Sequence, residues 1–190
     1  QLPSLLQADI ALSVLGFSFL CLLALLAPVS PASELNAGLA GVDLSSFFEE
    51  ATFDAVFEAA TSLAGGLGLC GDTTCSAFTV GALAFGLLYA RRRTHFDGDR
   101  ESKYHAYALT QRLRDRFVGT YGGLRCHDVH RRELGRAFDL RDPAEREAFE
   151  AAGAHEDKCT GVVARAARWV VEIIGEEQIE GTLRQQASTG

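Results

Sequence analysis

The chain has 190 residues, of which 47% are hydrophobic and 23% are charged, and its formal net charge is −7. This length allows one domain of ordinary size together with a short additional segment. All 18 basic residues lie at or after Arg91, so the first 90 residues are apolar and acidic. An acidic chain without a basic patch excludes a nucleic-acid-binding protein, because such proteins need clustered lysine and arginine to contact phosphate.

An uncharged apolar segment dominates the start of the chain. Residues 10–27 read IALSVLGFSFLCLLALLA, and as a helix they would span roughly 27 Å, near the lower limit for crossing a bilayer. A signal peptide is disfavoured because no basic residue precedes the segment. We predict that residues 1–28 hold a separate apolar transmembrane helix. The alternative is a helix that packs in a bundle or against a partner protein.

Two further features concern the N-terminal part of the chain. Residues 29–44 are rich in proline, serine and glycine, which predicts a linker. The sequence contains no methionine, so we expect that a presequence was cleaved, as in export or organelle import. We therefore predict a membrane-anchored protein, either in the inner or thylakoid membrane of an organelle or among the exported membrane proteins of bacteria.

The rest of the chain predicts an all-α fold, with a compact helical bundle over residues 45–176 and a polar tail over 177–190. Apolar residues recur at helical spacing in several segments. Asp142 and Pro143 form a start signal, because aspartate caps a helix and proline suits its first turn. The predicted helices after the apolar core segment cover residues 101–121, 126–136, a stretch from 143, and 158–174.

A continuous apolar run over residues 76–90 follows a glycine-rich loop. The run is too long for a typical strand, so we predict a helix that is buried on all sides. The alternative is a second membrane span that ends at the three arginines 91–93. Cys70 and Cys75 lie in the loop just before this run. Helix N-termini stabilise thiolates, so this loop is a candidate site of thiol or metal chemistry.

Four cysteines lie outside the N-terminal apolar segment: Cys70, Cys75, Cys126 and Cys159. They allow three hypotheses. The first is reversible dithiol chemistry, which needs two neighbouring sulfurs and a lowered thiol pKa. The second is a four-cysteine site for an iron–sulfur cluster or zinc. The third is a pair of structural disulfides in an oxidising compartment. The spacings do not decide between them, because no two cysteines are separated by only two residues.

Two histidines extend the metal hypothesis. Cys126 and His130 are four residues apart, and so are His155 and Cys159, so each pair would share one helix face. Cysteine and histidine together are the usual ligands of zinc. We therefore predict a metal-ligand set drawn from Cys75, Cys126, Cys159, His130 and His155, as an alternative to a site without any cofactor.

Four stretches within residues 60–174 carry a resemblance to a known family: AGGLGLCGDTTCSAF, GALAFGLLY, FVGTYGGLRCHDV and DKCTGVVARAARWVVEII. The chain resembles the redox-active proteins named for their C_GCAxxG_C_C cysteine pattern. The resemblance implies a helical domain whose Cys75, Cys126 and Cys159 converge for redox or metal-cluster chemistry. Where the family has GCAxxG, residues 74–79 read TCSAFT, and the family's first cysteine is missing from the helix before the loop. We expect Cys70 to take its place.

Two functions from different classes follow. The first is a membrane-tethered redox or electron-transfer domain, using a dithiol or a cysteine-bound cluster, with Cys70, Cys75, Cys126 and Cys159 as catalytic residues. The second is a non-catalytic accessory subunit of a larger respiratory or photosynthetic membrane complex, in which the cysteines are structural or vestigial. Both predict a membrane and other protein subunits as partners.

Overall fold

The computed structural model describes residues 55–56 and 58–188, with side chains as far as residue 180. The predicted transmembrane helix and the predicted linker lie outside the described residues. Within the described part the fold is all-helical, as predicted, and contains no β-strand. Among the described residues, 3₁₀ turns at Thr61–Leu63 and Arg93–His95 and a π-helical turn at Ala154–Lys158 accompany five named α-helices. These are α1 (Ser76–Tyr89), α2 (Arg100–Tyr121), α3 (Cys126–Leu134), α4 (Pro143–Ala151) and α5 (Cys159–Ser188).

The helix limits follow from the local signals in the sequence. Helix α2 ends where Gly122 adopts a left-handed conformation with φ of 77°, which glycine adopts without steric cost. Helix α4 begins after Asp142, whose side chain accepts a hydrogen bond from the backbone N–H of Ala144. Helix α5 runs to Ser188 rather than ending near residue 174. The added residues include glutamate and glutamine but no proline, so nothing in them stops a helix.

Helices α1, α2 and α5 pack against one another around the main hydrophobic core. Gly81 allows this close approach: a Cβ atom there would lie 2.6 Å from Leu113 Cδ2 and 3.0 Å from Val170 Cγ2. Glycine is therefore needed where α1 contacts both other helices. The fully buried side chains at the centre of this core include Phe85, Leu109, Leu113, Phe117, Val170 and Ile173.

Helix α1 is not buried on all sides, so that prediction was wrong. Leu83 and Leu87 are 38% and 39% exposed, while Phe85 between them is fully buried. Helices α2 and α5 cover one side of α1, and among the described residues nothing covers the side that bears the two leucines. None of the described helices combines the length and the apolar character that a membrane span requires.

A smaller hydrophobic cluster lies next to the main core. It consists of Phe138, Leu140, Phe149 and Ala154, and Leu69 and Cys159 pack against it. Thus this cluster joins the glycine-rich loop to the start of α5. Cys75, Cys126 and Cys159 line a cavity next to this cluster, at the N-termini of α1, α3 and α5.

Candidate thiol redox site

A short backbone bridge holds two of the cysteines together. Thr74 and Arg125 form an isolated antiparallel β-bridge. On either side of it, the N–H of Cys75 donates to Leu124 O at 2.7 Å and the N–H of Cys126 donates to Thr73 O at 2.9 Å. Cys75 is the N-cap of α1 and Cys126 is the first residue of α3. The bridge therefore places two helix N-termini, each with a cysteine, side by side.

The glycine-rich loop makes this approach possible. Gly66 and Gly71 have φ values of 75° and 74°, which glycine tolerates far better than other residues. A Cβ atom on Gly66 would lie 2.9 Å from Cys126 Cβ, and one on Gly71 would lie 2.0 Å from His127 Nε2. The Gly71 carbonyl also accepts the N–H of His127 at 2.8 Å. The loop backbone thus packs directly on the first turn of α3.

The two neighbouring thiols have pKa values shifted in opposite directions. Hydrogen bonding with the Cys126 side chain is the main cause that lowers the pKa of Cys75; burial acts against this lowering, and the backbone N–H groups of Ala77 and Phe78 add to it. The same interaction is the main cause that raises the pKa of Cys126, and burial adds to that effect. Cys75 is therefore the more acidic thiol of the pair, and each residue is only 6% exposed.

His130 is the third member of this arrangement, and its position follows from the four-residue spacing. Its Nε2 lies 3.3 Å from Cys126 Sγ. Which of these two atoms donates depends on the tautomer of the imidazole. Its Nδ1 is buried and has no hydrogen-bond partner among the described residues. Burial is the main cause that lowers the pKa of His130 to about 4, so the imidazole is neutral.

Cys159 lies on the same cavity as the pair. This cavity has a volume of about 100 Å³, and Cys75, Cys126, His130 and Cys159 all line it. Cys159 is half-buried, whereas Cys75 and Cys126 are buried. Burial raises the pKa of Cys159 to about 12, and the negative charge of Cys75 acts in the same direction. The apolar part of the wall includes Leu69, Val129, Leu140, Phe149, Val162 and Val163.

Two of the predicted site residues take other positions. Cys70 is half-buried and does not line the cavity. Its sulfur lies 3.9 Å from Gly68 O. Cys126, not Cys70, occupies the position next to Cys75. His155 lines the cavity, but its Nδ1 lies 2.7 Å from a carboxylate oxygen of Glu150. It therefore pairs with an acid near the cavity rather than with Cys159.

The arrangement suits thiol chemistry more directly than metal binding. Within the described part of the chain, no group of three or more histidine, cysteine, aspartate and glutamate side chains has the geometry to hold a metal ion. The four cysteines of the same part are all free thiols. Metal ligation by the predicted set of residues stays a prediction, and the donors as they lie do not fit a metal site.

The described residues form an all-helical fold with a buried pair of neighbouring cysteines and a third cysteine on the same cavity. Residues 43–173 match the model of the family described as "Putative redox-active protein (C_GCAxxG_C_C)". The match covers more than half of the chain, which therefore belongs to this family, as the resemblance implied. No curated protein and no solved structure is similar enough to count as a match.

The sequence predicted that Cys75, Cys126 and Cys159 converge and that Cys126 and His130 share a helix face, but the expected partner of Cys75 was Cys70. A signal for Cys126 as the partner was present: both cysteines begin a helix directly after a glycine-containing turn. Two helix N-termini of this kind can both stabilise a thiolate, so they are natural partners in one site. The role of His130 followed from spacing alone, but the metal hypothesis assigned its nitrogen to an ion.

Proposed function

We propose that this protein is a thiol–disulfide redox module in which Cys75 and Cys126 interconvert between a dithiol and a disulfide. The observation that supports it is the backbone bridge that places Cys75 and Cys126, both buried, side by side on one cavity. The pKa of Cys75 is lowered and that of Cys126 is raised, so Cys75 is the sulfur that ionises first. The thiolate is the form that attacks disulfides. Membership of a redox-active family supports a cysteine-based redox role.

The reaction proceeds in two exchange steps with a disulfide substrate. The Cys75 thiolate attacks one sulfur of the substrate disulfide and forms a mixed disulfide with it, and the other substrate sulfur leaves as a thiolate. Cys126 then loses its proton and attacks Cys75 Sγ, which forms the Cys75–Cys126 disulfide and releases the substrate sulfur that was bound to Cys75. The released thiolate takes the proton that Cys126 gave up. The protein pair is oxidised by two electrons and the substrate disulfide is reduced by two.

His130 is a positioning residue in this cycle. Its Nε2 lies 3.3 Å from Cys126 Sγ, and the hydrogen bond between the two atoms fixes the direction of that sulfur. Since the imidazole is neutral, it orients Cys126 without adding a positive charge that would compete with Cys75 for the thiolate.

The experiment is a comparison of the full-length protein with its Cys126→Ser and Cys126→Ala variants. The pKa of Cys75 is read from the pH dependence of the alkylation rate by iodoacetamide. Serine retains a hydrogen-bond donor, so C126S should keep the pKa of Cys75 below its ordinary value. Alanine removes the largest of the causes that lower this pKa, so the pKa of Cys75 should be higher in C126A than in C126S.

A second measurement tests the disulfide itself. The wild type is equilibrated with mixtures of reduced and oxidised glutathione, and its peptides are analysed by mass spectrometry. We expect a Cys75–Cys126 disulfide that forms and disappears reversibly with the glutathione ratio. Failure of this disulfide to form at any ratio, in a folded protein, would contradict the proposed function.

The proposal extends to the setting of the module. We infer that residues 10–27 tether it to a membrane, on the strength of their uncharged apolar sequence. A protein whose residues 1–28 are deleted should then be recovered in the soluble fraction, whereas the full chain should sediment with membranes. Sedimentation of both proteins to the same extent would contradict this tether.

The second candidate function is a non-catalytic accessory subunit of a larger membrane complex. It is favoured by large apolar side chains on the outside of α1 and α2, namely Leu83, Leu87, Tyr104 and Tyr107, which are 38% to 54% exposed. Exposed apolar patches often mark contacts with other proteins. This candidate predicts that no cysteine pair cycles with the glutathione ratio, so the same titration separates the two functions.

A further inference from the structure

One sulfur in the cavity has no part in the cycle described above. Cys75, Cys126 and Cys159 line the same space of about 100 Å³. Cys75 and Cys126 are each 6% exposed, while Cys159 at the start of α5 is half-buried. Cys159 is therefore the most accessible of the three cysteines that line this cavity.

We propose that Cys159 is a third redox cysteine, which transfers electrons between an external dithiol and the buried Cys75–Cys126 pair. The inference rests on the proposed function, because it requires the buried pair to form a disulfide. It assigns Cys159 a role in that function and names a class of reductant, a dithiol that reacts at Cys159.

The first step is an exchange inside the cavity. Cys159 loses its proton to solvent, its thiolate attacks Cys126 Sγ, the Cys75–Cys126 bond breaks, and a Cys126–Cys159 bond forms. Cys75 is the sulfur that leaves, because a thiol with a lowered pKa is the better leaving group. It returns to the thiolate form that it has in the reduced protein.

The second step regenerates the reduced site. One sulfur of the dithiol attacks Cys159 Sγ, which releases Cys126, and the second sulfur then displaces Cys159 from the mixed disulfide. The dithiol becomes a disulfide and loses two electrons, which the buried pair gains. One of its two protons ends on Cys126, and the other restores the thiol of Cys159, while Cys75 remains a thiolate.

The charges in the cavity favour this order of events. In the reduced site the Cys75 thiolate is one of the charges that disfavour ionisation of Cys159; burial has the larger effect, and Glu133 and Glu150 add to it. Once Cys75 is in a disulfide its negative charge is absent, so Cys159 ionises more readily. Cys159 thus becomes a better nucleophile when there is a disulfide for it to attack.

Trapping the intermediate is the first test. The full chain carries Cys75→Ser, so that only Cys126 and Cys159 of the cavity sulfurs remain, and it is oxidised with glutathione disulfide. Peptide mass spectrometry should find a Cys126–Cys159 disulfide. Cys75→Ser in combination with Cys159→Ser is the control, and it should leave Cys126 without an intramolecular partner in the cavity.

The rate of reduction is the second test. The oxidised wild type and its Cys159→Ser and Cys159→Ala variants are reduced with dithiothreitol, and release of the Cys75–Cys126 disulfide is followed by mass spectrometry. Both variants should react more slowly by about tenfold or more, because the dithiol must then reach a sulfur that is 6% exposed. Cys70→Ser is the matched control and should react at the wild-type rate, because Cys70 does not line the cavity.

The outcomes separate this inference from the function on which it rests. Absence of a Cys75–Cys126 disulfide in the wild type overturns the proposed function. If that disulfide forms but the Cys159 variants are reduced as fast as the wild type, the role of Cys159 is wrong and the function stands. Absence of the Cys126–Cys159 disulfide in the folded Cys75→Ser variant also overturns the role of Cys159. Circular dichroism of each variant establishes that it is folded.

Discussion

Acidification should destabilise this protein through His130, which is only 1% exposed. Burial is the main cause that lowers the pKa of His130 to about 4, and the nearby His127 and Arg131 act in the same direction. In an unfolded chain the pKa of histidine is about 6.5. Above that pH the residue is neutral in both states and contributes no difference. Between about pH 6.5 and about pH 4 the unfolded chain binds a proton that the folded protein does not, which lowers the free energy of unfolding by about 3 kcal/mol.

The assay is urea unfolding of the wild type and of His130→Gln at a series of pH values across this range. Other groups titrate in both proteins, so the informative quantity is the difference between the two profiles. On going from neutral pH to about pH 4, the free energy of unfolding should fall by about 3 kcal/mol more in the wild type than in the variant. Parallel profiles would refute the reasoning, because they would mean that His130 takes up a proton as easily in the folded protein as in the unfolded one.

Two glycine substitutions test the packing that positions the site, each against a control glycine. Gly81→Ala should destabilise the fold by about 1–3 kcal/mol, since its Cβ would overlap α2 and α5. Gly86→Ala lies in the same helix but has open space around it, so it should stabilise the fold by up to about 1 kcal/mol. Gly68 and Gly71 both have positive φ, so alanine at either position should destabilise the fold by about 1–2 kcal/mol. Gly71→Ala should be the more destabilising of the two, because its Cβ would also displace the His127 ring. Urea unfolding measures all four, and equal effects within either pair would contradict the packing argument.

The helical framework was largely readable from local sequence signals. The segment predicted over residues 101–121 is helix α2, and the aspartate–proline pair at 142–143 begins α4. Capping, proline at the first turn and glycine after the last turn are properties of a few neighbouring residues, so a single sequence contains them. The exposure of Leu83 and Leu87 was not readable, because it depends on how many helices surround α1.

The site was predictable in part and for the same physical reason. Cys126 and His130 belong to one helix, so their four-residue spacing predicts that they meet, and their atoms lie 3.3 Å apart. Cys75 meets Cys126 only because a backbone bridge joins two loops that are far apart in sequence. No local pattern encodes that bridge. The hypothesis that paired Cys75 with the nearby Cys70 reflected proximity along the chain, not in space.

The backbone bridge at Thr74 and Arg125 also links the redox state to conformational stability. It brings together Cys75 and Cys126, which are roughly 50 residues apart, and the proposed disulfide between them would remove about 4 kcal/mol of chain entropy from the unfolded state. By thermodynamic reciprocity, the folded chain makes the bond harder to reduce by the same amount. Unfolding of this protein would therefore make the proposed disulfide easier to reduce. Reduction would in turn favour further unfolding, so the two processes would reinforce each other.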